Sequence, residues 1–158
     1  MRKWLARTIG SAFGLGYAPF APGTVASAAA AVIYFFIRAL HNPLVLMPVI
    51  LVSTALGVWA SGVMEEEYGE DPSQAVIDEV AGQWLALAFL PATPLVVLLA
   101  FVLFRFFDIL KPGPIDSAQR LPGGWGIMTD DVLAGIFANV TLRVVMFALP
   151  MLPFGWAV

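Results

Sequence analysis

Long apolar runs separated by compact polar clusters set the pattern of this chain. Residues 1–23 form a basic lead-in rich in glycine and proline, and residues 24–40 are apolar. That run is short for a membrane crossing, but workable if Thr24 and Ser27 lie near an interface. Residues 43–64 form a predominantly apolar run; roughly 21 residues at ~1.5 Å each match a hydrocarbon core of about 30 Å. The acidic cluster EEEYGEDPSQ follows at residues 65–74. Asp71 then reads as a helix N-cap with Pro72 first in the helix and Gln74 three after the cap. This helix runs through Asp78 and Glu79 into WLALAFL, and Pro91 and Pro94 interrupt it. A second apolar arm covers 95–107. After the polar segment 104–131, Thr129 is placed to cap a last helix over 130–149, which Pro150 and Pro153 end.

Residues 80–107 pose the main topological choice. One kinked span would put Asp78 and Glu79 on the opposite membrane face from Asp108. A helical hairpin turning at Pro91–Pro94 puts all three on the same face. Two prolines three residues apart favour the turn, so a hairpin is expected.

Composition makes the membrane reading firm. The chain has 158 residues, enough for one domain, here 1–158. It is 60% hydrophobic and only 12% charged, against about 25% charged for soluble domains. A soluble fold of this size could not hide so much apolar surface. The expected class is therefore an all-α integral membrane protein, with four to five membrane-embedded helices and a polar site on the cytoplasmic face. The basic opening stretch lacks the continuous apolar core of a cleaved signal peptide. With the N-terminus inside, Arg2, Lys3, Arg7, Arg105, Lys111 and Arg120 lie inside, as the positive-inside rule requires. All eleven acids fall on that face too, while Arg38 and His41 lie near the other. Arg143 falls within the last span and must snorkel or find partners.

The residue inventory restricts the chemistry. No cysteine is present, which excludes disulfides and thiolate sites, and His41 is the only histidine. No basic tract suggests nucleic acid. Three polar blocks meet on the inner face. The first, GLGYAPFAPGTVAS, leads to a helix start at Thr24, whose free amides suit an anion; on local evidence alone, ordinary capping is the better reading. The second, DPSQAVIDEVAG, sets Asp71 and Asp78 on one helix face with Glu79 beside them; helix-dipole compensation would also explain these acids. The third, within 104–131, carries Arg105, Asp108 and Lys111 at three-residue spacing, then Gly123, Gly124 and Gly126 in a turned loop. Asp130 and Asp131 follow in the expected first turn of the next helix.

Oxygen ligands without cysteine or a usable histidine point to Mg²⁺, which binds through a few carboxylates and substrate phosphate. Asp78, Glu79, Asp108, Asp130 and Asp131 are the candidate catalytic carboxylates, able to hold one or two ions. Asp108, Asp130 and Asp131 lead as metal ligands, with Asp78 and Glu79 as further ligand and base. Arg105 and Lys111 would bind the phosphate, and the Gly23–Thr24 turn would add backbone amides. A site at the membrane face implies a lipid headgroup.

The blocks GLGYAPFAPGTVAS, VIDEVAG, FRFFDILKPGPID and GGWGIMTDDVLAG, in that order and spacing, together resemble the phosphatidylglycerophosphatase A family. Its motif acids match Asp78, Glu79, Asp108, Asp130 and Asp131, and its loop residues match Pro22, Gly23 and Thr24. The resemblance implies a Mg²⁺-dependent enzyme of the bacterial inner membrane. Such an enzyme removes the terminal phosphate of phosphatidylglycerophosphate, giving phosphatidylglycerol and phosphate. The competing class is a small transporter or cation channel. Transport needs polar groups near the bilayer midplane, and only Arg143, Thr54 and Asn139 lie within apolar runs.

Overall fold

The computed structural model describes residues 1–149. Pro150 and Pro153, expected to end the last helix, lie outside the described residues. The all-helical expectation holds: seven α-helices and no strand occur among the described residues. They are α1 (Arg2–Gly10), α2 (Pro22–Phe36), α3 (Pro43–Tyr68), α4 (Ile77–Leu87), α5 (Pro94–Leu110), α6 (Pro114–Gln119) and α7 (Gly124–Ala148). Short 3₁₀ turns at Leu15–Tyr17 and Arg38–His41 flank α2.

Length separates these helices. α3 has 26 residues and α7 has 25, about 37–39 Å each at ~1.5 Å per residue. These two are long and apolar enough to cross a membrane. α2, with 15 residues, and α5, with 17, fall short of a bilayer core, and α4, with 11, covers about half of it. Asn42 opens α3 by accepting the Leu44 amide at 2.9 Å, with Pro43 first in the helix. Thr93 caps α5 in the same way through Val96 N.

The chain does turn back between α4 and α5. Residues 88–93 carry no helix, and Arg105 returns to within 3.8 Å of Glu79. α4 is packed against α2, α3, α5 and α7, so the shortest of the apolar helices is the central one. Its carbonyl end is satisfied from α7. Asn139 Nδ2 donates to Ala86 O (3.0 Å) and Ala88 O (2.9 Å), and Arg143 Nη2 donates to Ala88 O (3.0 Å) and Phe89 O (3.1 Å). Arg143 Nε also donates to Asn139 Oδ1 at 2.8 Å. The costly cation in the apolar run has thus found its partners, as required, and they are carbonyls left free by a helix end.

Other expectations need correction. Asp71 is not an N-cap: its φ is +47°, and α4 starts six residues later, at Ile77. The intervening strand of chain is held elsewhere, since Val76 N donates to Gly10 O at 2.8 Å at the end of α1. The lead-in is largely helical, and Arg7 binds Glu67 through two nitrogens, so the acidic cluster at 65–68 continues α3 rather than ending it. α2 begins at Pro22 with Ala21 in the cap position, so Thr24 lies inside the helix. The segment 104–131 is not a long loop, because α5, α6 and the start of α7 occupy most of it. Thr129 caps nothing, as α7 starts at Gly124. Of the three glycines expected in a turned loop, Gly123 does stand in the turn before α7, with φ +62°, whereas Gly124 and Gly126 lie inside the helix and are packing residues. A Cβ on Gly124 would collide with Val58 O and Gly62 N of α3, so two helix backbones touch there.

Candidate active site

Three helices meet in one glycine-lined layer. A Cβ on Gly82 of α4 would stand 2.6 Å from Asp131 O of α7 and 2.6 Å from Phe104 Cε2 of α5. A Cβ on Gly135 of α7 would run into Gly82 O. Backbones therefore approach as closely at this crossing as glycine permits. One turn away from that layer lie Asp78, four before Gly82; Asp131, four before Gly135; and Asp108, four after Phe104. α5 runs opposite to its neighbours, so all three carboxylates emerge on the same side. The close crossing is what brings residues 53 apart in sequence, Asp78 and Asp131, together.

They open into a recess of about 300 Å³, lined also by Glu79, Arg105, Lys111, Asp130 and the Ala21–Gly23 turn. α2 and α4 both begin here, so two helix N-termini aim their free amides and positive dipole ends at it. Gly23 belongs to that wall for a steric reason: a Cβ there would collide with the Glu79 carboxylate and come 3.3 Å from Arg105 Nη1. Ser27 supports the same corner. Its hydroxyl donates to Gly23 O at 2.7 Å and accepts from Arg105 Nη1 at 3.4 Å.

Charge is unevenly distributed around the recess. Arg105 pairs with Asp108 at 2.5 Å, and Lys111 with Asp130 at 2.7 Å. Arg105 also reaches Glu79, more loosely at 3.8 Å, and Asp78, Glu79 and Asp131 each keep one buried carboxylate oxygen with no hydrogen-bond partner. One ligand atom from each lies within 4.8 Å of the others. A buried anion without a partner is costly. Burial pushes the Asp78 carboxyl well above the usual carboxylate range, and the charges of Glu79 and Asp131 push it further. Burial also lifts Glu79, against a partly opposing pull from Arg105. Burial lowers the basicity of Lys111, but Asp130, with Asp131 and Asp108, more than offsets it and leaves the ammonium above its ordinary value. Three converging, under-neutralised carboxylates can hold a metal ion.

All five candidate carboxylates, together with Gly23, Arg105 and Lys111, therefore share one recess. Thr24 does not line it, being displaced by the earlier start of α2. Asp130 and Asp131 are not in a first helical turn, because α7 starts at Gly124. Gly82 and Gly135 were missed as site-forming residues, although a signal existed. DEVAG at 78–82 and DVLAG at 131–135 repeat an Asp four residues before a Gly, with a fully buried Ala between them.

The profile of the phosphatidylglycerophosphatase A family matches residues 8–146, nearly the whole bundle and all of the recess. The chain belongs to the phosphatidylglycerophosphatase A family. It is accordingly a phosphatase. Relatives named phosphatidylglycerophosphatase A come from Haemophilus influenzae and Escherichia coli strain K12. The first is 35% identical over 138 residues, covering 85% of this chain and 85% of the relative. The second is 35% identical over 129 residues, covering 80% and 74%. A Bacteroides thetaiotaomicron protein, provisionally named phosphatidylinositol-3-phosphatase, is 37% identical over 149 residues, covering 90% and 94%. No solved structure matches the chain.

Proposed function

We propose that this phosphatase is a Mg²⁺-dependent lipid phosphatase of the bacterial inner membrane. It hydrolyses the terminal phosphomonoester of phosphatidylglycerophosphate to phosphatidylglycerol and phosphate, on a site facing the cytoplasm. The observation that carries this reading is the trio Asp78, Glu79 and Asp131, each with an orphaned buried oxygen, set beside two cations. Family membership supports the substrate class. Membrane residence is supported by the apolar lengths of α3 and α7 and by outward-facing apolar side chains such as Leu51, Leu98 and Val144. The bundle acts as one domain in this reading.

Asp78, Glu79 and Asp131 fit Mg²⁺ because they offer hard oxygen donors that the fold leaves unpaired. When bound, the ion supplies positive charge that polarises the phosphoryl group and makes water more acidic. Asp108 and Asp130, expected as ligands, take another role here: they aim Arg105 and Lys111 at the phosphate oxygens. The Gly23 turn adds amides at the α2 N-terminus. Glu79 is more exposed to the recess than Asp78 or Asp131, so a carboxylate oxygen not engaged with the ion is placed to take a proton from the attacking water. The new bond joins water oxygen to phosphorus, the phosphorus–glycerol oxygen bond breaks, and the leaving oxygen takes a proton from solvent. Transport has less support, because the polar groups within α7, Asn139 and Arg143, are engaged by the carbonyls of α4 and its following turn.

The test is phosphate release by the purified chain in detergent, with and without Mg²⁺. Phosphatidylglycerophosphate and phosphatidylinositol 3-phosphate are offered separately. Mg²⁺-dependent release from the first, abolished in Asp131→Asn, is expected. Preference for the second substrate would replace the substrate assignment, and full activity after metal removal would sink the metal role.

A further inference from the structure

We propose that the apolar groove between α2 and α5 holds an acyl chain of the phospholipid whose phosphate enters the recess. This inference rests on the lipid-phosphatase reading above and adds a substrate subsite to it. The groove has a volume of about 340 Å³ and is lined only by apolar residues, among them Ala28, Val32 and Phe35 of α2 and Val97, Leu98 and Phe101 of α5.

Continuity with the recess argues for this occupant. On α5 the steps Arg105, Phe101, Leu98 and Pro94 follow one helix face by four, three and four residues. On α2 the steps Thr24, Ala28 and Val32 do the same. Arg105 and Thr24 thus head the two walls. The Arg105–Ser27 hydrogen bond crosses the same seam, one turn above Phe101. From Arg105 to Pro94 the wall is eleven residues, about 16 Å of helix, which suits an extended hydrocarbon chain. Val32 and Leu98 are 55% and 58% exposed, so the groove opens sideways, where a lipid would enter from the bilayer. Thr24, which does not line the recess, then stands where the glycerol region passes from polar to apolar surroundings.

A larger apolar cavity, about 500 Å³, lies among α2, α3 and α4. It is bounded by Ile77, Val80 and Trp84, on the face of α4 opposite Asp78, Glu79 and Gly82, so a chain seated there would be cut off from the recess. That contrast supplies the control.

The experiment compares long-chain with dihexanoyl phosphatidylglycerophosphate. Leu98→Trp and Ala28→Phe, which fill the groove, are expected to lower the long-to-short ratio of kcat/KM about tenfold. Val52→Trp, which fills the larger cavity, leaves that ratio unchanged. A ratio unchanged in folded groove variants, or shifted only by Val52→Trp, overturns the proposal. A second measurement covers variants that fail to fold and a wild type inactive on either lipid, the latter outcome defeating the phosphatase-substrate reading alone. Wild-type protein in detergent is labelled by phosphatidylglycerol carrying a photoreactive diazirine in one acyl chain. Saturable labelling of α2 and α5 at the groove is expected; labelling confined to α3 refutes it.

Discussion

Gly82→Ala tests whether the helix crossing, rather than any one ligand, assembles the site. The added methyl carbon would stand 2.6 Å from Asp131 O and 2.6 Å from Phe104 Cε2, where ordinary contact begins at 3.4 Å. Relief at each neighbour needs a shift of about 0.8 Å, the difference between ordinary contact and the distance here. The first neighbour is backbone and the second is a fully buried ring, so neither can swing aside. α4 must instead move from α7 and α5 by most of that distance. Overpacking of this kind costs about 1–3 kcal/mol, yet alanine is favoured over glycine inside a helix by about 1 kcal/mol. The net loss of stability is therefore small, about 0–2 kcal/mol. Activity has no such compensation. The carboxylates of Asp78 and Asp131 sit one turn from the crossing, and a misplacement near 1 Å can cost about 100-fold in rate. The assay pairs thermal unfolding in detergent with kcat/KM for phosphatidylglycerophosphate at saturating Mg²⁺. The expected result is a small change in Tm with a fall of about 100-fold in kcat/KM. Wild-type activity in Gly82→Ala would show that the crossing does not set the geometry of the carboxylates.

Three further predictions address the charges. Asp131→Asn weakens Mg²⁺ binding, measured by calorimetry, whereas Asp108→Asn leaves it nearly unchanged and lowers kcat/KM by about 10–100-fold through a misaimed Arg105; equal metal affinity in both variants would contradict the assignment of ligands. The metal-free protein loses stability as pH rises from about 4 toward neutrality, because the raised Asp78 and Glu79 carboxyls keep protons in the fold that the unfolded chain gives up. Mg²⁺ added at neutral pH offsets that loss, and a Tm independent of pH in metal-free buffer would contradict the buried charge repulsion. Arg143→Leu leaves Phe89 O and Asn139 Oδ1 without the donor they have here, costing about 1–3 kcal/mol and lowering Tm by several degrees with Mg²⁺ affinity retained; an unchanged Tm would remove its role in holding the end of α4.

Much was legible in the residues themselves. Composition and the length of the apolar runs determined a helical, membrane-type chain, because burial of so much apolar surface needs either a larger core or a lipid phase. The Pro91 and Pro94 pair determined the turn between α4 and α5, since proline removes backbone donors and blocks helix continuation. Residue chemistry alone picked out the five carboxylates, Arg105 and Lys111, which do share a recess. Helix starts were misread at Asp71, Thr24 and Thr129, because capping residues are local signals and tertiary contacts overrode them: Val76 is bound to Gly10, and Gly124 is pressed against α3. Only the tertiary structure decided which acids are held closely by cations and which keep a buried oxygen without a partner. That division depends on distances of a few ångströms between helices, set by how closely Gly82 and Gly135 allow two backbones to approach, and no spacing along a single helix encodes it.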